Sequence, residues 1–173
     1  MNGRTFTNFT IHMPTLQLET FMEAPPDVCF DLSRSIDLHI LSTQKTGERA
    51  IAGRTSGLLQ LGETVTWRAQ HFGFWQTLTS KITAFERPHF FVDEMVQGAF
   101  KSFRHEHHFT PRPGGGTLVK DVFTFASPLG ILGTLANHLV LTKYMKRLLL
   151  ERNQIIKEYA ESGKAEAYLS ETQ

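Results

Sequence analysis

Polar and apolar residues alternate with a period of two through the middle of the chain, then switch to a helical period near its end. From Glu63 to Phe72, Val65, Trp67, Ala69 and His71 fall on one face, and Thr64, Thr66, Arg68 and Gln70 on the other. That is the pattern of a half-buried strand. Gly73 ends the run, and Trp75 to Phe85 follows, with Leu78, Ser80, Ile82 and Ala84 inward. Arg87-Pro88-His89 is a turn, Phe90 to Gln97 a third run and Phe100 to Phe109 a fourth. Pro111 to Gly116 is a hairpin tip, from which Thr117 to Phe125 returns. Strands at such short spacing predict an antiparallel meander with one covered face.

The flanks predict different elements. Leu16 to Met22 alternates well enough for a first strand, which Ala24-Pro25-Pro26-Asp27 stops. The prolines suit the first turn of a helix, where a missing N–H costs nothing, and Asp27 favours its positive end. A short helix through Val28, Phe30 and Leu32 ends near Ser33; Ser35 then caps a second, with Ile36, Ile40 and Leu41 on one side. Gly47 to Leu61 is rich in Gly, and predicts an edge strand near Glu48–Ala52 and a short strand near Leu58–Leu61. From Ile131 to about Ala160, Leu132, Leu135, Leu139, Thr142, Leu149 and Ile156 recur at helical steps, with Lys143, Lys146, Arg147, Glu151, Lys157 and Glu158 opposite. Thirty residues make about 45 Å of helix, enough to cross a sheet. The expected organisation is an N-terminal extension over 1–14, a single domain over 15–161 and a flexible tail over 162–173. The fold class is α+β: a curved antiparallel sheet wrapped around a long C-terminal helix.

Composition narrows the function classes. With 173 residues, 40% hydrophobic and 20% charged, the chain carries one sizeable core. Fourteen Phe must either pack in that core or line an apolar pocket. A net charge of +1 without a run of like charges gives no footprint for nucleic acid. No apolar run reaches the ~18–20 residues of a membrane span, and Met1 to Pro14 has no signal-peptide core, so a cytoplasmic location is expected. The lone Cys29, between Val28 and Phe30, is expected as a small buried hydrophobe.

The local wording adds a resemblance. Trp67-Arg68-Ala69-Gln70-His71-Phe72-Gly73, Gly98-Ala99-Phe100 and His105-Glu106-His107-His108-Phe109 resemble a bacterial branch of the START-like, or SRPBCC, superfamily. So do Gly116-Thr117-Leu118-Val119-Lys120-Asp121 and Ser127-Pro128-Leu129-Gly130. The order of elements from about Thr15 to Ala160 is similar to the helix-grip fold of that group, which includes birch-pollen-allergen-type proteins and polyketide cyclase/dehydrase-like proteins. The resemblance implies an internal cavity on a scaffold that serves carriers, receptors and enzymes, and it supplies no universal catalytic motif.

The inward phase decides the candidate chemistry. If Trp67, Leu78, Ile82, Phe103 and Phe109 face the cavity, so do His71, His105 and His107, with Asp93 and Met95, and with Asp121 and Phe123 on the last strand. Leu135 and Leu139 close the pocket from the helix. An aromatic cavity with a few convergent polar groups is what small-molecule sites look like. His105 and His107 are two apart on one strand, with Cα atoms about 6.5–7 Å apart, and Asp121 on the neighbouring strand can fix the tautomer of one of them. His105, His107 and Asp121 are therefore the catalytic candidates. Two histidines and a carboxylate also suit a metal, but no spacing fixes a third ligand, so neither metal nor cofactor is expected. Trp67 and Trp75 are expected as packing residues, and His39 and His89 at the surface. The leading expectation is a carrier or sensor for a hydrophobic small molecule: a lipid, isoprenoid or aromatic polyketide. The alternatives are a cofactor-independent cyclase, dehydratase or aromatase and, more weakly, a protein-partner adaptor. A monomer or homodimer is expected in each case.

Overall fold

The computed structural model describes residues 13–127 and 134–169, with side chains of the C-terminal helix from Leu139 onward. Seven antiparallel strands form one sheet: β1 (Thr15–Met22), β2 (Arg49–Gly53), β3 (Thr64–His71), β4 (Phe74–Glu86), β5 (Phe90–Gln97), β6 (Ser102–Pro111) and β7 (Thr117–Ala126). Their order is β1-β7-β6-β5-β4-β3-β2, so β2 to β7 form a meander and β1 closes onto its last strand. Between β1 and β2 lie α1 (Pro26–Ser33) and α2 (Ile36–Ser42); α3 (Thr134–Glu161) follows the sheet.

Local chemistry explains the boundaries. Pro26 occupies the first turn of α1 and Asp27 its positive end. Ser35 caps α2, its hydroxyl accepting the Leu38 N–H at 3.4 Å. The hairpin tip after β6 closes with Arg112 N–H donating to Gly116 carbonyl at 3.0 Å.

Two apolar clusters flank the centre of the sheet's inner face. In one, Phe30 of α1 meets Phe85, Phe91 and Phe109 edge-on, at centroid distances of 5.1, 5.3 and 5.3 Å. In the other, Phe103, Phe123 and Phe125 pack with Leu16, Leu18 and Leu149. The sheet between them bears the polar cluster described below.

Several expectations need correction. Leu58–Leu61 forms no strand; Leu58 makes one isolated bridge to Ser35. The β4–β5 register shifts between Ile82 and Ala84, and beyond that bulge Phe85 joins the core, where Ala84 was expected inward. Trp75 is 55% exposed, its ring under the Arg68 guanidinium at 4.8 Å, so it does not pack inside. The segment expected as a flexible tail carries α4 (Glu166–Leu169), with Ala165 buried and Tyr168 edge-on to Tyr159 at 5.1 Å. Cys29 is fully buried, its thiol directed at the Ala24 carbonyl.

Candidate functional site

The centre of the inner face is built by strand register. On β6, His105 lies directly opposite Asp93 of β5, and His107 directly opposite Asp121 of β7. Directly opposed residues on one face are close neighbours, and diagonal ones are within reach of long side chains. Both hydrogen-bond contacts are made diagonally. His105 Nε2 lies 2.9 Å from Asp121 Oδ1, and His107 Nε2 lies 3.2 Å from Asp93 Oδ1. The two imidazoles stand 3.9 Å apart between centroids, and His107 stacks on Phe91 at 4.2 Å.

Asp121 sits behind the histidines, away from the cavity. Asn153 of α3 donates to its Oδ2 at 2.6 Å and reaches Thr20 at 3.3 Å, so the helix anchors the carboxylate. His107 Nδ1 is 2.8 Å from Asp121 Oδ1 but off the hydrogen-bond direction, so the contact is electrostatic and that nitrogen has no hydrogen-bond partner. Asp93 differs: its side chain is 21% accessible because it faces the cavity.

The charge states follow from these contacts. Burial alone raises a carboxyl, but the His105 hydrogen bond and the close His107 imidazole outweigh it and hold Asp121 well below the usual range. Asp93 is held low in the same way, burial being outweighed by His107 and His105. An ionised Asp121 only accepts, so His105 Nε2 must carry the proton it shares with it. Burial and then the neighbouring His107 push His105 below its ordinary value, so it is neutral at pH 7 with its Nδ1 lone pair free. For His107 burial is outweighed by Asp121 and Asp93, which favour the imidazolium. Arg152 of α3 completes the group: Nη2 donates to the Ser33 carbonyl at 2.6 Å, while its buried Nη1 has no partner.

This cluster forms part of the wall of a cavity of about 520 Å³, within the range of small-molecule sites. Trp67, His71, Leu78, Ile82, Asp93, Phe103, His105, His107 and Phe123 line it. Asp121 does not, lying behind the wall. Met95 and Phe109 do not line it either; Met95 packs beside Phe103, and Phe109 against Phe30 and Phe91. Leu139 is 59% exposed and turned away, so it does not close the pocket; Val140, Leu141, Tyr144, Met145, Leu148 and Leu149 of α3 do. The Leu135 side chain lies outside the described residues.

Phe72 and Val140 line the cavity and are also exposed, which places its mouth between the β3–β4 hairpin and α3. A second polar group stands there, His71 Nδ1 lying 2.7 Å from the Tyr144 hydroxyl. His39, expected at the surface, instead lines the cavity, 4.3 Å from the Trp67 ring and 3.5 Å from Glu48 Oε2. Burial pushes Glu48 up, but His39, His71 and Thr43 outweigh it and hold it below the ordinary range.

Sequence reasoning missed Arg152 and Asn153. The signal was there: they stand three and four residues after Leu149 and four and three before Ile156, on the buried stripe of the helix.

No family model matches the sequence, and no curated protein matches it. Solved structures do. The Thermus thermophilus protein TTHA0849 superposes with a TM-score of 0.69 at 16% identity, over 91% of this chain and 100% of that one. Ginseng major latex-like protein 151 from Panax ginseng gives 0.63 at 18% identity, over 86% and 97%. The Zhui aromatase/cyclase from Streptomyces sp. R1128 gives 0.67 at 13% identity, over 92% and 98%. Among the described residues, no helix is long and apolar enough to cross a membrane. A seven-stranded sheet gripping a long C-terminal helix, with two short helices after the first strand, gives this chain the helix-grip fold of these neighbours.

Proposed function

We propose that this protein binds a hydrophobic small molecule with an oxygen-bearing polar end, as a carrier or sensor. The observation that carries the reading is the composition of the cavity wall. Aromatic and aliphatic side chains supply most of it, and Asp93, His105 and His107 are grouped at one place on it, with the Arg152 charge near enough to act on Asp93 and His107. Such a wall holds an apolar body by burial and orients one polar end by a few fixed hydrogen bonds.

Native mass spectrometry of freshly purified protein, followed by denaturing extraction, tests this. A co-purifying lipid-like or aromatic species is expected. A protein that carries nothing, and whose melting temperature no member of a hydrophobic ligand panel raises, refutes it and shifts the weight to a protein-partner role.

A second reading is favoured by one observation: His105 has its Nε2 proton committed to Asp121 and its Nδ1 lone pair free beside the cavity. That is the arrangement of a general base held in one tautomer, suited to moving a proton in a cyclisation or dehydration. The two readings separate in variants. His105→Ala lowers affinity in a carrier, whereas in an enzyme it lowers turnover more than binding.

A further inference from the structure

We propose that Asp93, His105 and His107 form a binding site for a divalent first-row transition metal on the cavity wall. The inference rests on the cavity being a ligand site only for what the metal's remaining position meets.

The geometry comes first. Asp93 Oδ1 stands 3.2 Å from His107 Nε2 and 3.7 Å from His105 Nδ1, and the three atoms all lie within 4.8 Å of one another. Ligand atoms at about 2.0–2.1 Å from a common ion are themselves roughly 2.9–3.4 Å apart in octahedral or tetrahedral geometry. Ion binding therefore requires the wider gaps to close by side-chain rotation, for which Asp93, 21% accessible, has the most room. The strand period brings them together: His105 and His107 project from the same face of β6, and Asp93 is the direct cross-strand partner of His105.

The His105 hydrogen bond points the same way, and His107 releases to solvent the Nε2 proton that it shares with Asp93 when the ion binds, as metal binding at histidines requires. His105 gives its Nε2 proton to Asp121, which leaves the Nδ1 lone pair facing the Asp93 carboxylate at 3.7 Å. Two acceptors thus face each other across a gap too long for a hydrogen bond, and a cation between them satisfies both. Asp121 meanwhile backs both rings on their far sides, 2.9 Å from His105 Nε2 and 2.8 Å from His107 Nδ1, and is itself held by Asn153. A carboxylate behind ligating histidines, itself hydrogen-bonded, is the outer shell that orients metal ligands. No other group on the described residues has this form. His39 pairs only with Glu48, and the Glu106–His108 contact on the outer face is shared with Arg104.

The donor set names the ion class. Two imidazoles and one carboxylate suit zinc, cobalt, nickel or iron(II) rather than calcium or magnesium. Three protein ligands leave a position open, the arrangement of reactive rather than structural sites. Two carboxylates balance a divalent ion, which leaves the charge of Arg152 over. The open position therefore suits an anionic oxygen, such as a carboxylate, phenolate or enolate at the polar end of the cavity ligand.

The test uses the full-length protein, stripped with a chelator and dialysed into metal-free buffer. Zinc is added in a calorimeter, and cobalt(II) in a spectrophotometer. One zinc per chain is expected, together with cobalt absorption bands of a four- or five-coordinate N/O site. Asp93→Asn should weaken zinc at least tenfold, and Asp121→Asn roughly 10–100-fold, as outer-shell changes do. His108→Ala on the outer face should leave the affinity unchanged. Absence of both zinc stoichiometry and cobalt bands in the wild type overturns the proposal without needing any variant to fold, and so does zinc binding that Asp93→Asn leaves intact. Uptake of a fluorescent fatty acid by the metal-free protein is measured in parallel. Uptake without metal binding overturns the metal site alone, whereas metal binding without uptake supports it and overturns the carrier reading alone.

Discussion

The two aspartates that flank the histidines have opposite jobs, and one pair of variants separates them. Asp121 is 1% exposed, accepts from His105 at 2.9 Å and from Asn153 at 2.6 Å, and lies against His107. Replacing it with Asn keeps its shape but turns one acceptor into an NH₂ that must face a donor, and leaves His107 without its nearer counter-charge. Each hydrogen bond to a charged group contributes about 1.5–3 kcal/mol, and breaking a buried charge network costs about 3–5 kcal/mol. In a protein of this size that lowers the melting temperature by roughly 6–20 °C. Asp93 makes one longer contact, 3.2 Å to His107, and is 21% accessible to the cavity, where water can replace a lost partner. Asp93→Asn should cost no more than about 1.5 kcal/mol. Urea unfolding followed by far-UV circular dichroism measures both, with equal slopes required for the comparison. If Asp93→Asn destabilises as much as Asp121→Asn, the division into a scaffold carboxylate and a cavity carboxylate is wrong.

Three further outcomes follow from other parts of the molecule. Glu48 is held below its ordinary value of 4.5, so its stabilising contribution is present above that value and is lost as the pH falls through the lower folded value. The stability gap between wild type and Glu48→Gln should therefore shrink on acidification below pH 4.5; a gap that widens refutes the role given to His39, His71 and Thr43. Burial pushes the Cys29 thiol up to about 11, so iodoacetamide at pH 8 should modify the folded protein far more slowly than the urea-unfolded chain; equal rates overturn this. Gly53 and Gly73 both have positive φ, +72° and +84°, but a Cβ at Gly53 would strike the Thr64 backbone whereas one at Gly73 meets nothing within 4 Å. Gly53→Ala should therefore destabilise clearly more than Gly73→Ala, which carries only about 1 kcal/mol of backbone strain, and thermal melts of the two variants decide it.

How much of this is legible in the sequence depends on the period of each element. A strand admits only two phases, so with Val65, Trp67 and Ala69 inward, the meander places His105, His107, Asp93 and Asp121 on the same face. Nothing in the sequence marks the bulge between Ile82 and Ala84, because a bulge is a register event between two strands, and it moves Phe85 into the core. His39 escapes for a different reason: a polar residue beside Ile40 on a short helix looks like a surface residue unless the cavity is known to lie beneath it.

The helix shows the limit most plainly. A straight α-helix turns about 100° per residue. Measured from Ile156, which is 2% exposed, Met145 falls about 20° away and Arg152 about 40°, whereas Leu139 falls about 100° away. Stepping back by sevens from Ile156 reaches Thr142 about 40° off the stripe, and the further three-residue step to Leu139 adds about 60° in the same direction, which is how an apolar but exposed Leu139 comes to be expected inside. The same count from Ile156 puts Asn153 about 60° away, within the stripe that meets the sheet. Helical phase, rather than residue type, is thus the signal that α3 contributes an arginine to the cavity and an amide to Asp121. A buried polar residue on an apolar stripe needs a partner, and here Asn153 has one in Asp121 at 2.6 Å, while Arg152 keeps Nη1 without one. That difference assigns Asn153 to holding the wall together, while Arg152, like Tyr144, is a polar side chain that α3 places on the cavity wall.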